Sequence, residues 1–358
     1  MHDLDRPYTL RCGLRLPNRA ALAPLTNGQS NADGTLAEDE LHWLLRRAQG
    51  GFGLVPTCAA YICDEGKAWD GQLGIASDAH MSGLTRLARA LNDAGTAPIV
   101  QLYHGGSQAT LAPGDRLSTV DADGVRGATE HDIERVTHAM ITAACRASDA
   151  GFSGVELHGA NGYLFTQFLA PEDNPRTDAY GGDLAGRARF LRHTLRAVRA
   201  AVPADFAVGV RISPVDVWTQ RGLVLDDGVQ VAAWMGEDGA DWVHLSLSDA
   251  TGRPAHEADA PVVATAVRQA LDPDVMLMAA GGIGRLQDVE RAMNAGIDVV
   301  AIGRAGIRHA DWPRRVTQPD WAPAPTPWSL DALKEQAVGD AFLGYLRKFR
   351  GLVEGGRA

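Results

Sequence analysis

The run ELHGANGYL places His158, Asn161 and Tyr163 within six positions of one another, directly after a short apolar stretch, GFSGV, that reads as a strand. A histidine and an asparagine held just beyond a strand present two hydrogen-bond donors that can grip one carbonyl oxygen, and polarising that carbonyl makes its β-carbon accept hydride. Tyr163, with an ordinary phenol pKa of about 10, is a proton donor at neutral pH and can supply the α-carbon. Together the three describe a conjugate reduction. One such histidine alone reads as a satisfied core residue; three chemically matched side chains in this spacing point to a site.

Other polar residues close candidate strands in the same way. Gln101 offers an amide donor and a carbonyl acceptor suited to the edge of a pyrimidine ring, and Arg211 a cation against developing negative charge. Gly281-Gly282 and Gly303-Arg304 close two later strands. Backbone N–H groups approached without side-chain hindrance, together with a guanidinium, cradle a phosphate. That feature predicts a phosphorylated ligand, and it suits aldolases and isomerases as well as flavoproteins.

These residues need a scaffold that aims strand ends at one pocket. Apolar runs at 20–24, 53–58, 98–102, 154–157, 207–211, 242–245, 275–279 and 299–302 alternate with amphipathic stretches at 37–50, 81–94, 130–150, 185–201, 227–239 and 286–295. The alternation predicts α/β architecture with eight parallel strands, the number that closes a single (β/α)8 TIM barrel, whose active face lies at the strand C-termini. A doubly wound sheet would call for a glycine-rich turn after its first strand, and APLTNGQS is not G-x-G-x-x-G. YTLRCGLRLPNR reads as an N-terminal β-hairpin plugging the other mouth of the barrel. Long insertions after strands, at 103–129 and 170–182, read as lids or substrate loops. The barrel is assigned to 1–320, and 321–358 to a Pro-rich spacer (322–328) and a C-terminal helical tail packed on the barrel or on a neighbouring subunit. Among the aromatics Tyr61, Trp69, Tyr103, Trp218 and Trp242, only Tyr103, just past Gln101, is expected near the site; the rest read as core.

With 34 basic and 44 acidic residues the net charge is −10, and the basic residues are scattered, which argues against nucleic acid as a partner. The 45% hydrophobic content is that of a soluble globular protein. No apolar stretch is long enough to span a bilayer, and MHDLDRPYTL lacks the pattern of a secretory signal, so a cytoplasmic location is expected. Cys12, Cys58, Cys63 and Cys145 form no C-x-x-C pair and read as reduced structural thiols, with no metal site expected.

NRAALAPLTN, GQLGIASDAH, the Gln101-Leu102 strand end, GVELHGANGYLFTQFLAPEDNPRTDAYGG and AIGRAGI resemble the old yellow enzyme family across nearly the whole chain. The HGANGYL-to-RTDAYGG block is the most specific part. The resemblance implies an FMN-dependent ene-reductase in which Pro24, Thr26, Ala59, Gln101, Arg211, Gly281, Gly282, Gly303 and Arg304 surround FMN, Thr26 tuning its potential. It assigns His158 and Asn161 to the substrate's carbonyl or nitro oxygen and Tyr163 to proton donation. NADPH or NADH would reduce FMN first; an α,β-unsaturated carbonyl compound would then take the nicotinamide's place and accept hydride from flavin N5. Some relatives follow the Thr26 position with a tyrosine that reaches the pocket; here Asn27-Gly28-Gln29 follows, so that contact is missing or supplied elsewhere. Larger relatives append cysteine-rich and nucleotide-binding segments that this chain lacks, so electrons are expected directly from nicotinamide. By analogy with the family a homo-oligomer is expected. Three other readings stay open: a flavin dehydrogenase, demethylase or desaturase acting on an amine or metabolite; a flavin-free phosphate-binding lyase or isomerase, although none of Lys67, Lys334 and Lys348 lies at a strand end; and a non-catalytic scaffold.

Overall fold

A computed structural model describes residues 2–112, 114–215, 222–254 and 259–356. Trp218 lies outside the described residues. Eight parallel strands close a barrel: Ala20–Leu22, Leu54–Tyr61, Ala97–Tyr103, Gly154–Gly159, Ala207–Ile212, Trp242–Ser246, Met276–Ala280 and Val299–Ile302. The last pairs with the first, Ala301 opposite Ala21, so no strand edge is left open. The second strand runs past Cys58 to Tyr61, because its register shifts between Pro56 and Ala59 and the extra residues pair with Gln101–Tyr103.

Alternate residues of each strand face the barrel interior, and the interior is layered. Its lower part is apolar: Leu54, Ile99, Ala207, Met276, Met278 and Val299 pack together. The antiparallel pair Tyr8–Thr9 and Arg15–Leu16 closes that end, with Leu10 and Leu16 buried in the same cluster, so the expected hairpin plug is present. Higher up, Trp242 lies across Gly209; a Cβ there would come within 1.9 Å of the indole, so only glycine fits. Above Trp242 the interior becomes polar.

The helices cover the outside of the barrel. Glu38–Gly50, the first of them, ends on Gly51 at φ 104°, the left-handed cap that glycine supplies without strain. The insertion after the third strand carries a small two-stranded sheet, Arg116–Ser118 with Val125–Gly127. The C-terminal tail departs from one continuous helix: Ala337 has φ 58°, and the chain divides into Leu330–Lys334 and Asp340–Leu346.

The tail docks on its own barrel. Arg47, wholly buried in Glu38–Gly50, donates to the carbonyls of Trp43, Gly306, Ile307 and Gln336 and stacks on the Trp43 ring at 3.2 Å. Gln29, in the loop after the first strand, accepts from Gly339 N–H at 2.7 Å. Among the described residues, no helix is long and apolar enough to cross a membrane.

Candidate active site

His158 closes the inward-facing row of the fourth strand and pairs in register with Arg211 on the fifth, which pairs with His244 on the sixth. His158 is buried; burial and the neighbouring Arg211 cation hold its pKa down at about 3, so the ring is neutral. Ala160 N–H donates to its Nδ1 at 3.3 Å, which leaves the ring proton on Nε2. The outcome is a neutral imidazole with one N–H to offer.

Asn161 adopts φ 62°, a left-handed conformation that asparagine tolerates better than most residues. Its backbone N–H donates to Ser213 Oγ at 3.1 Å. Arg211 Nη2 donates to Ser246 Oγ at 3.0 Å, so the serine passes its own proton to Asn161 Oδ1, also at 3.0 Å. With its carbonyl oxygen engaged, Asn161 has its amide N–H groups to offer.

Tyr163 packs edge-on to His158 with ring centroids 5.0 Å apart. Burial raises its hydroxyl pKa, so the phenol keeps its proton at neutral pH. Tyr103 lies behind both, 4.6 Å from the Tyr163 ring and 5.8 Å from His158, and is wholly buried. The histidine, the tyrosine and the chain linked to Asn161 therefore meet in one place, as the sequence spacing anticipated.

Beneath them lies an arrangement that no motif announced. Glu156 accepts from Gln101 Nε2 at 2.8 Å, from Trp242 Nε1 at 2.9 Å and from His244 Nδ1 at 3.0 Å. Burial would raise its pKa, but His244, Arg211 and Trp242 outweigh that and hold it at about 2. The carboxylate is thus a buried anion with a full set of donors. The only trace in sequence is the two-residue alternation that puts Glu156 on the face of His158, and His244 on that of Ser246.

The expected cofactor residues gather around the same mouth. Pro24 is buried and Thr26 half-buried after the first strand, and Ala59 sits beside Tyr61 and Tyr103. Gln101, one amide hydrogen held by Glu156, retains its carbonyl and second N–H. Arg211 Nε is buried without a partner, an orphaned donor at the level where an anionic ring edge would lie. Gly281 has φ 154° and Gly282 φ 64°. A Cβ at Gly303 would meet nothing within 4 Å, so the turn opens onto free space beside exposed Arg304. At Gly281, by contrast, a Cβ would come within 2.7 Å of Ala250 N and 2.8 Å of Leu247 O, so that glycine is needed for its close approach to the loop after the sixth strand. The unfilled Arg211 donor and the open Gly303 turn suit a flat heteroaromatic ring carrying a phosphate.

Tyr345, from the C-terminal helix, was not anticipated. It lines a cavity of about 1000 Å³ that also reaches Asn161, Ser213 and Ser246. Burial raises its hydroxyl pKa and the neighbouring Thr26 side chain opposes the rise, so this tyrosine lies beside the residue whose following loop lacks one. Elsewhere, Cys63, Glu65 and His104 come within 4.8 Å of one another, but Arg135 already pairs with Glu65 at 2.7 Å and supplies the positive charge there.

A profile of the NADH:flavin oxidoreductase / NADH oxidase family matches residues 3–319. The chain is 33% identical over 331 residues to a probable NADH-dependent flavin oxidoreductase of Bacillus subtilis, covering 88% of each chain. Longer curated relatives also match, and the chain spans about a third of the length of two of them. Among solved structures, a morphinone reductase variant in complex with tetrahydroNAD superposes with a TM-score of 0.79 at 25% identity, over 93% of this chain and 94% of that one. An old yellow enzyme homologue from Zymomonas mobilis shares the fold, with a TM-score of 0.81 at 24% identity over 94% and 99%.

Proposed function

The chain belongs to the NADH:flavin oxidoreductase / NADH oxidase family, and from that premise we propose that it reduces the activated C=C bond of α,β-unsaturated carbonyl compounds. It is an oxidoreductase of the old yellow enzyme type that uses FMN with NADH or NADPH.

The observation that carries the proposal is that His158 and Asn161, close in sequence at one strand end, are both left with only donors to offer. Each has its acceptor atom already engaged, Nδ1 by Ala160 and Oδ1 by Ser246, so both present N–H groups. Two fixed donors stabilise the enolate-like oxygen that develops as the β-carbon receives hydride, and they do so without reorganising at the moment of reaction. FMN, when bound, supplies the hydride, drawn from the nicotinamide. Gln101 and Arg211 would hold the polar edge of its ring, Ala59 leaves room for the ring itself, and Gly281, Gly282, Gly303 and Arg304 would hold its phosphate. Pro24 and Thr26 would border the ring from the first strand. Tyr163 holds the proton destined for the α-carbon, its pKa raised by burial.

The test is anaerobic. Enzyme reduced with one equivalent of NADH or NADPH is mixed with 2-cyclohexen-1-one, and FMN absorbance near 450 nm is followed (roughly the flavin band, as for any FMN protein). Rapid return of absorbance with formation of cyclohexanone supports the reading; reduced enzyme that reoxidises only when air is admitted refutes it.

A further inference from the structure

From Asn161 and Ser246 the site continues outward into the cavity of about 1000 Å³, far more than a small enone fills. Several segments distant in sequence build its walls. The ribbon after the third strand contributes Val120 and Val125, the segment after the fourth strand Leu169, and the C-terminal helix and the turn after it Tyr345 and Phe349. Val120 and Phe349 are 38% and 45% exposed. Two large apolar side chains from separate segments, both lining one cavity and both left partly in water, mark a surface that gains by being covered.

Among the described residues, the charged side chains of the wall are acidic, beside a larger number of neutral polar ones. Glu172 and Asp173 both line the cavity, and Glu172 Oε2 is fixed by Gly222 N–H at 3.0 Å. A fixed carboxylate at Glu172, with Asp173 beside it, repels an anionic guest.

Resting on the reading that the site reduces activated alkenes, we infer that this cavity is a distal subsite for the substrate's body: a bulky, apolar, uncharged group attached to an alkene whose activating oxygen is held by His158 and Asn161. Small dicarboxylates are disfavoured twice over, by the carboxylate wall and by the volume they leave to water.

The experiment compares kcat/KM of the FMN-loaded enzyme for 2-cyclohexen-1-one, 5-phenyl-2-cyclohexen-1-one and fumarate. The two enones share the same reacting carbons and differ only in a remote ring. The phenyl enone is expected to exceed cyclohexenone by roughly tenfold or more, the gain from covering one phenyl group, with fumarate slower than both. In Phe349→Ala, and separately in Val120→Ser, the phenyl-to-parent ratio is expected to fall severalfold; both positions are partly exposed, so the fold tolerates the changes. Equal kcat/KM for the two enones, an unchanged ratio in both variants, or fumarate matching the phenyl enone overturns the subsite. In those cases cyclohexenone turnover still upholds the ene-reductase reading. If no enone is reduced while nicotinamide still reduces FMN, that reading fails and takes the subsite with it.

Discussion

Gln101 donates an amide hydrogen to Glu156 across 2.8 Å, and this bond decides which way the glutamine presents its amide to the mouth of the barrel. With one N–H committed downward, the carbonyl and the second N–H are what remains for a ring above. Because Glu156 also accepts from Trp242 and His244, one buried carboxylate aligns three strands beneath the site.

Glu156→Gln is therefore expected to act on both cofactor and fold. It places an NH2 group against at least one of the three donors, because one carboxylate oxygen accepts from Gln101 and the other from Trp242 and His244, and it removes the anion that offsets Arg211. FMN affinity should fall about tenfold, and unfolding free energy by about 3 kcal/mol, as when one partner of a buried ionic network is lost. Fluorescence titration of apoprotein with FMN and urea unfolding check the two effects. Wild-type values for both would mean that Glu156 holds nothing in place.

For the proposed oxygen-binding pair, His158→Ala and Asn161→Ala should each lower the rate of reoxidation by enone about 100-fold, the usual loss for one donor to a developing oxyanion. Reduction of FMN by nicotinamide should suffer less, since it places no oxyanion there. Stopped-flow traces of the two half-reactions separate the effects. Tyr163→Phe should slow the enone half-reaction alone, by about 100-fold.

Acid should destabilise the protein in a definite window. An unfolded histidine takes up a proton near pH 6.5, whereas folded His158 excludes it down to about pH 3. Unfolding therefore gains ground as pH falls from about 6.5 toward 3. Glu156, held at about 2, contributes in the same direction below its ordinary carboxylate range. Urea midpoints should drop between pH 7 and pH 5, and His158→Asn should flatten that drop. The enone half-reaction should show no inflection near pH 6.5, because His158 stays neutral across it.

Arg304→Ala should weaken FMN binding by about tenfold or more, through loss of a guanidinium–phosphate contact. Enzyme saturated with FMN should keep its visible spectrum, because the change lies at the phosphate and not at the ring. Equilibrium dialysis against FMN and against riboflavin tests this: only the phosphorylated flavin should be affected.

Arg47→Met should loosen the C-terminal tail, because the guanidinium links Gln336 to the Glu38–Gly50 helix and to the segment after the last strand. Limited chymotrypsin digestion is expected to cut near Tyr345 and Phe349 several times faster than in the wild type, the tail opening before the barrel does. Equal digestion rates would show that the tail is held by other contacts.

The barrel, and the meeting of the candidate site residues at its mouth, were legible in the sequence alone. Strand and helix periodicity follows from burial on a fixed repeat, and residues that close strands are brought to one face by the fold alone, so His158, Asn161, Tyr163, Gln101, Arg211 and the glycine turns were legible from position. Strand ends were less so: Ala59–Tyr61 extends the second strand only because the third strand offers partners. How those side chains are held depends on contacts between distant strands. Glu156 became the acceptor for Gln101, Trp242 and His244 through the stagger of neighbouring strands, and the Arg211–Ser246–Asn161 relay joins three strand ends that no local pattern connects. Tyr345 and Phe349 reach the cavity because Ala337 breaks the tail and Arg47 and Gln29 anchor it, a contact between the two ends of the chain. Local sequence encodes the period of an element and the chemistry at its end; contacts between distant segments depend on register and docking, which only the folded chain sets.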